Sequence, residues 1–362
     1  MKIIISGGGT GGHVYPAIAI ANELSDKGIE DILFVGAKGK LEMEKVPKAG
    51  YEIEGLDIRG FHRTKVWRNI LFPFKLLGSL MKAKKIIDKF GPDVVIGVGG
   101  YASGPTLKMA QVKNIPTVIQ EQNSYPGITN KLLAGKADRI FVAYPKMNQY
   151  FPEGKLKLTG NPVRKDIMNV SSLRNDAIVH FGLDPLKKTI LIFGGSLGAR
   201  SLNKAILSQH ELIMGRDDIQ MIWQVGSIYH DEYKSCSLSE LPNVRILPFI
   251  DRMDLAYAAA DVVACRAGAL TISELMLVGK PSILVPSPNV AEDHQTKNAQ
   301  ALVDEEAASM VLDKDAQLNL VPSILKLLSD QERQVALSTN LKKMAKPEAR
   351  EVIAQEIIDL VR

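Results

Sequence analysis

Short apolar runs alternate with longer stretches of helical spacing along the whole chain, and the alternation starts twice. In the first half, residues 3–6, 32–35, 94–98, 117–120 and 139–143 read as buried strands. Between them, 16–27, 41–49, 74–90, 104–113 and 128–134 carry apolar residues three and four apart and predict helices. The second half repeats the scheme. Strands are expected at 189–193, 221–225, 244–247, 262–264, 282–285 and 309–312, with helices at 201–213, 253–260, 271–278, 294–304 and 318–329. Such βα alternation predicts an α/β protein with parallel sheets covered by helices on both faces. The last stretch, 348–362, sets Val352, Ile353, Ile357, Leu360 and Val361 at helical spacing. It should pack back on the first domain, because an amphipathic terminal helix must bury its stripe.

Each half opens on the same device. The first strand runs into Gly7-Gly8-Gly9-Thr10-Gly11-Gly12-His13, and the strand at 189–193 runs into Gly194-Gly195-Ser196-Leu197-Gly198-Ala199-Arg200. Laid over each other, Gly7, Gly8 and Gly11 coincide with Gly194, Gly195 and Gly198, and His13 falls on Arg200. A glycine turn between strand and helix lets a ligand approach main-chain N–H groups with no Cβ in the way. The helix behind it offers unpaired N–H groups and a partial positive charge, which suits a phosphate or a developing anion. One such turn is a weak signal. Two copies predict two nucleotide-binding-type domains joined near Gly160-Asn161-Pro162-Val163-Arg164, where Asn-Pro favours a turn.

The length of 362 residues accommodates two domains, and 46% apolar with 23% charged residues is ordinary for a globular chain. Cys236 and Cys265 are far apart and form no metal spacing, which fits a reducing compartment. No apolar run approaches the roughly 20 residues needed to cross a bilayer, and the first apolar run is too short for a signal sequence. The net charge of +5 permits an acidic ligand or an anionic surface without requiring either.

Ligands of parallel sheets sit at the C-terminal ends of strands. The polar clusters fall there: Gly99-Gly100-Tyr101-Ala102-Ser103-Gly104 after one strand and Glu121-Gln122-Asn123-Ser124 after the next. In the second half, the run Asp261 to Glu274 ends a strand, passes through small residues and enters a helix expected to start near Leu270 or Thr271. Glu274 would then lie in the first helical turn, placed to hold both ribose hydroxyls of a nucleotide or to cap the helix. The polar stretch from Asp293 to Asn298 could hydrogen-bond a sugar or be a solvated helix start. His13 could take a proton from an attacking hydroxyl or simply shape its loop. Arg164 and Arg200 could face a departing pyrophosphate or be surface charges. Asp313-Lys314-Asp315 spells a D-x-D but sits where a loop and helix cap are expected. Between Lys65 and Lys89, Trp67, Phe72, Phe74, Leu77, Leu80 and Met81 alternate with basic residues. This fits an anionic membrane surface, or an amphipathic helix with a basic solvent face.

These segments together resemble one family. The two glycine turns, Gly99-Gly100-Tyr101-Ala102-Ser103-Gly104-Pro105, Glu121-Gln122-Asn123, Gly160-Asn161-Pro162-Val163-Arg164 and the 265–274 run look like those of MurG-type enzymes, in order and over nearly the whole chain. These are the bacterial undecaprenyl-diphospho-muramoylpentapeptide β-N-acetylglucosaminyltransferases. The resemblance implies a GT-B fold, two Rossmann-like domains whose parallel sheets face across a cleft. Residues 1–163 would carry the acceptor and face the membrane, with a terminal helix of about 346–362 returning to them, and 164–345 would bind the donor.

The implied reaction is inverting transfer of N-acetylglucosamine from UDP-GlcNAc to the C4 hydroxyl of lipid I, giving lipid II and UDP, with no cofactor, metal or nucleic acid. The enzyme would sit peripherally on the cytoplasmic side of the cell membrane. By motif position, His13 would be the base, while Thr10, Gly11, Gly12, Asn123, Arg164, Ser196, Ile250, Ala269, Leu270, Thr271, Ile272, Ser273, Glu274 and Gln295 would bind the donor. Ile250 would meet uracil through its backbone, Glu274 the ribose and Gln295 the sugar. Two departures stand out. Many family members have His where this chain has Gln120, which shifts weight for acceptor chemistry onto His13, and Gln where it has Leu197, which leaves one fewer side-chain donor near the diphosphate. A UDP-GlcNAc 2-epimerase-like enzyme and a non-catalytic nucleotide-sugar-binding protein are the alternatives that share the two-domain plan.

Overall fold

The computed structural model describes residues 1–60, 72–290 and 293–361. The chain forms two units, Met1–Val163 with Lys346–Arg362, and Arg164–Ala345. In the first unit the strands are β1 (Lys2–Ser6), β2 (Asp31–Ala37), β3 (Glu52–Leu56), β4 (Val94–Gly97), β5 (Thr117–Glu121), β6 (Arg139–Val142) and β7 (Leu156–Leu158). They lie in the order β3-β2-β1-β4-β5-β6-β7, every neighbouring pair parallel. Alternation along β1 explains its burial on both faces. Ile3 and Ile5 enter one apolar cluster and Ile4 the other. The first cluster is closed by the Gly11–Asp26 helix and by Ile353, Ala354, Ile357 and Ile358 of the terminal Ala349–Val361 helix.

In the second unit, β8 (Lys188–Phe193), β9 (Ile219–Gln224), β10 (Val244–Leu247), β11 (Val262–Cys265), β12 (Ser282–Leu284) and β13 (Ser309–Met310) form a parallel sheet ordered β10-β9-β8-β11-β12-β13. Both sheets therefore reverse their direction of growth beside the first strand. The reversal leaves a crevice at the C-terminal strand ends, between β1 and β4 in one unit and between β8 and β11 in the other.

Several elements differ from the sequence reading. The first helix begins at Gly11 and not at Pro16, because Gly11, Gly12 and His13 form its first turn after Thr10. Strand β3, reading Glu-Ile-Glu-Gly-Leu, is the edge strand beside β2 and alternates charge with apolar residues, so it shows no buried run. The three-residue β7 is too short to give a pattern. Helical segments at Lys165–Leu173, Arg174–Phe181 and Gln331–Met344 were also not expected.

Candidate active site: glycine turns at two sheet crevices

In the first unit the loops after β1 and β4 meet backbone to backbone. Gly8 N–H donates to Gly99 O at 3.2 Å, and a Cβ on Gly100 would stand 2.3 Å from Gly8 O. Gly100 has φ +85°, so both its conformation and its surroundings demand glycine. Beneath the turn lies the buried Glu42 carboxylate, which accepts from Gly9 N–H at 2.7 Å and from Ala37 N–H at 2.9 Å. Sequence reading missed Glu42, since a glutamate opening a short helix carries no sign that it faces inward.

Thr10 caps the Gly11–Asp26 helix in extended conformation, and its carbonyl accepts from His13 and Val14 N–H at 3.1 Å. The N–H groups of Gly11 and Gly12 belong to the helix's open end, where an anion is favoured. The His13 ring lies between two loops. Nδ1 is 3.2 Å from Thr10 Oγ1, and Nε2 is 2.8 Å from where a Gly99 Cβ would stand. So Thr10, Gly11, Gly12 and His13 come together against the β4 loop.

Glu121, at the end of β5, is buried and gathers the next loop around itself. Its carboxylate accepts from Asn123 N–H (3.1 Å), Asn123 Nδ2 (3.2 Å), Gly127 N–H (3.0 Å) and Asn130 Nδ2 (2.9 Å). Burial pushes the carboxyl above its ordinary value, and these hydrogen bonds pull against the rise. Asn123 is therefore held from behind by Glu121. Gln120 is fully buried and donates to Asn161 Oδ1 at 2.9 Å, so that position belongs to the sheet interior.

In the second unit the turn after β8 is built alike. A Cβ on Gly198, at φ +74°, would stand 2.0 Å from Val225 O. Gln224 ties the turn down, its Oε1 accepting from Gly194 N–H and its Nε2 donating to Gly195 O. Ser196 and Leu197 are left exposed at the tip. After β11, Gly268 caps the Ala269–Val278 helix. Its open end presents the N–H groups of Ala269, Leu270 and Thr271.

The helix starts earlier than expected, which moves Glu274 out of the first turn and into the second. Helix-end capping by Glu274 is thereby excluded. Its carboxylate instead accepts from Tyr257 Oη at 3.0 Å and lies 3.5 Å from Arg164 Nε. Burial raises the Glu274 carboxyl above its usual range, opposed by the Arg164 charge and the Tyr257 hydroxyl. Burial, then the Glu274 charge, pushes the Tyr257 phenol well up.

Ile272 has its side chain in the core and its N–H on Gly268 O, so it braces the helix. Ser273 Oγ returns to Ala269 O at 3.1 Å. Ile250 is buried just past β10. Gln295 Oε1 accepts from Ser287 N–H at 2.8 Å, fixing the loop after β12. A polar cavity of about 510 Å³ opens here, lined among others by Gly194, Gly198, Arg200, Ser287, Gln295 and Asp313. Asp313 of the D-x-D is bound to Arg266 Nη1 at 2.6 Å. Of the apolar-basic stretch, residues 65–71 lie outside the described residues, and the rest forms the Phe72–Phe90 helix.

The chain matches two family models, the glycosyltransferase family 28 N-terminal domain over residues 3–142 and its C-terminal domain over 189–353. It is 56% identical to the UDP-N-acetylglucosamine–N-acetylmuramyl-(pentapeptide) pyrophosphoryl-undecaprenol N-acetylglucosamine transferase of Flavobacterium psychrophilum, over 99% of this chain and 98% of that one. It is 52% identical to the protein of the same name from Bacteroides fragilis, over 100% and 96% of the two chains. The crystal structure of Acinetobacter baumannii MurG superposes with a TM-score of 0.78 at 28% identity, covering 99% of both chains. A UDP-GlcNAc 2-epimerase from Neisseria meningitidis shares the fold alone, with a TM-score of 0.69 at 15% identity and coverage of 99% and 100%. Family models that match both halves, and a relative 56% identical over 99% of the chain, place it: it belongs to glycosyltransferase family 28, among the MurG N-acetylglucosaminyltransferases.

Proposed function

We propose that this enzyme works by a single inverting displacement in which main-chain N–H groups and two cationic or hydroxyl side chains receive the leaving UDP. The reaction is transfer of N-acetylglucosamine from UDP-GlcNAc to lipid I, giving lipid II. The observation that carries the donor reading is the open end of the Ala269–Val278 helix beside the Arg164–Glu274 pair. A diphosphate suits the N–H groups of Ala269, Leu270 and Thr271, and Glu274 suits the ribose hydroxyls. Ser196 and Arg164 add a hydroxyl and a charge for the leaving oxygen. Ile250 would meet uracil and Gln295 the sugar, while Ile272 and Ser273 keep the helix in place. Thr10, Gly11, Gly12 and Asn123 would complete donor binding from the first unit, and His13 would take the proton of the attacking C4 hydroxyl.

The acceptor is tethered to a lipid, so the enzyme must work at the membrane surface. Among the described residues no helix is long and apolar enough to cross a membrane. The Phe72–Phe90 helix exposes Phe74, Leu77 and Met81, at helical spacing on one face, alongside Lys84 and Lys85. This face would rest on the cytoplasmic leaflet, the apolar side chains entering and the lysines meeting anionic headgroups.

The deciding experiment supplies UDP-GlcNAc with a lipid I analogue. A lipid-linked disaccharide and UDP are expected. Release of a free epimerised sugar, or binding without conversion, would overturn the reading in favour of an epimerase or a non-catalytic binder.

A further inference from the structure

One guanidinium in the second unit is placed where four loops meet. Arg266 follows β11 directly and stands two residues before Gly268, the cap of the proposed diphosphate helix. Its side chain is only 11% exposed. Nη1 donates to Val285 O at 3.0 Å, Pro286 O at 3.2 Å and Asp313 Oδ1 at 2.6 Å, and Nη2 donates to Ser201 Oγ at 2.6 Å. Ser201 Oγ in turn donates to Asp313 Oδ1 at 2.7 Å, closing a triangle. The acceptors come from the start of the Arg200–Ser208 helix behind the second glycine turn, from the loop that leads to Ser287 and Gln295, and from the segment after β13.

We infer that Arg266, with Asp313 and Ser201, is a positioning unit that sets the diphosphate-binding edge of the donor site. The inference rests on the donor reading given above. The guanidinium is planar and always charged, so it can bond carbonyls, a hydroxyl and a carboxylate in one fixed geometry that a lysine ammonium does not reproduce. Asp313 balances the charge, and Ser201 passes the constraint to the helix beside Ser196. The D-x-D aspartate thus has a positioning role inside the donor half. Because Arg266 leads directly into Gly268 and bonds the start of the Arg200–Ser208 helix, while Glu274, a turn further along, is held by Tyr257 and Arg164, loss of the unit should weaken recognition of phosphate more than of nucleoside.

The test compares UDP with uridine by calorimetry on the full-length protein, together with steady-state kinetics. In Arg266→Lys and in Ser201→Ala, which deletes one hydroxyl and is expected to fold, UDP affinity should fall about tenfold in the first and severalfold in the second. Uridine affinity should stay within about twofold, and kcat should fall with the KM for UDP-GlcNAc rising. A purely structural role predicts a lower melting temperature with equal effects, or none, on the two ligands, and that outcome would overturn the inference. So would unchanged UDP affinity and turnover in both variants. A wild-type protein that fails to bind UDP would sink the donor reading itself, and this inference with it.

Discussion

In the proposed reaction His13 and Glu274 hold the roles that single side chains can supply. His13 stands at the N-terminal turn of its helix, one ring nitrogen at Thr10 and the other against Gly99. As general base it should contribute roughly 100- to 10,000-fold to turnover. The His13→Ala enzyme is expected to lose that factor in kcat while its affinity for UDP stays near wild type, and turnover within twofold of wild type would remove His13 from the role. For Glu274 the prediction is a pH dependence. Its carboxyl is raised above 4.5 by burial, so the folded state holds the proton more tightly than the unfolded chain does. The stability it contributes is full below pH 4.5 and is lost as pH climbs through the raised value. Ribose binding makes the opposite demand, because the ionised form accepts from two hydroxyls. The KM for UDP-GlcNAc should therefore begin to rise, on acidification, at a pH above 4.5. Glu274→Gln should abolish that rise and carry a KM about tenfold higher at pH 8. A wild-type KM that is flat down to pH 4.5 contradicts this.

At the scale of the element, what was readable depends on how local the cause is. The strands β1, β4, β8 and β11 announce themselves, because a strand buried on both faces is apolar along most of its length, and β5 shows a shorter apolar stretch before the buried Gln120 and Glu121. The glycine turns are readable too, since Gly100 and Gly198 sit where no side chain fits. Less readable is anything set by a distant partner. Glu42, Glu121 and Arg266 look like surface charges in a sequence, and only folding brings them under loops from other strands. The position of Glu274 within its helix depended on where that helix starts, and Gly268-Ala269 gives no strong capping signal. The Phe72–Phe90 helix shows both cases. Ser79, Ala83, Ile86 and Ile87 are buried, and Phe74, Leu77 and Met81 are exposed, so both faces of the helix are apolar in part. Replacing those three with serine removes apolar surface that the core does not use. If each insertion nets about 1 kcal/mol, a conservative share of full burial, binding to anionic vesicles should weaken about 100-fold. The melting temperature and turnover of a short-chain soluble acceptor should be unchanged. Equal vesicle binding by the triple variant would exclude this helix as the anchor.

For the whole molecule, the notable feature is that the chain leaves the first unit at Val163 and returns to it at Lys346. The returning helix is part of the first unit's core. Ile353 and Ile357 are fully buried against the cluster that holds Ile3, Ile5, Ile20 and Phe34. Lys157 and Arg139 further pair with Glu356, although exposed pairs of this kind add little. Ile357→Ala deletes buried methylene and methyl groups and leaves a cavity, at a cost of about 2–5 kcal/mol. In a unit of this size that lowers its melting temperature by roughly 4–20 °C. UDP should act on the other unit, since the proposed diphosphate helix and Glu274 lie within Arg164–Ala345. Ligand at about 100 times its Kd adds about 2.7 kcal/mol to whatever binds it. A calorimetric scan of Ile357→Ala with UDP should then show two transitions moving apart, one lowered by the cavity and one raised by the ligand. A single transition that the substitution lowers and UDP restores would mean that the double chain crossing makes the two units unfold as one. In that case the terminal helix would stabilise the donor half as much as the half it packs on.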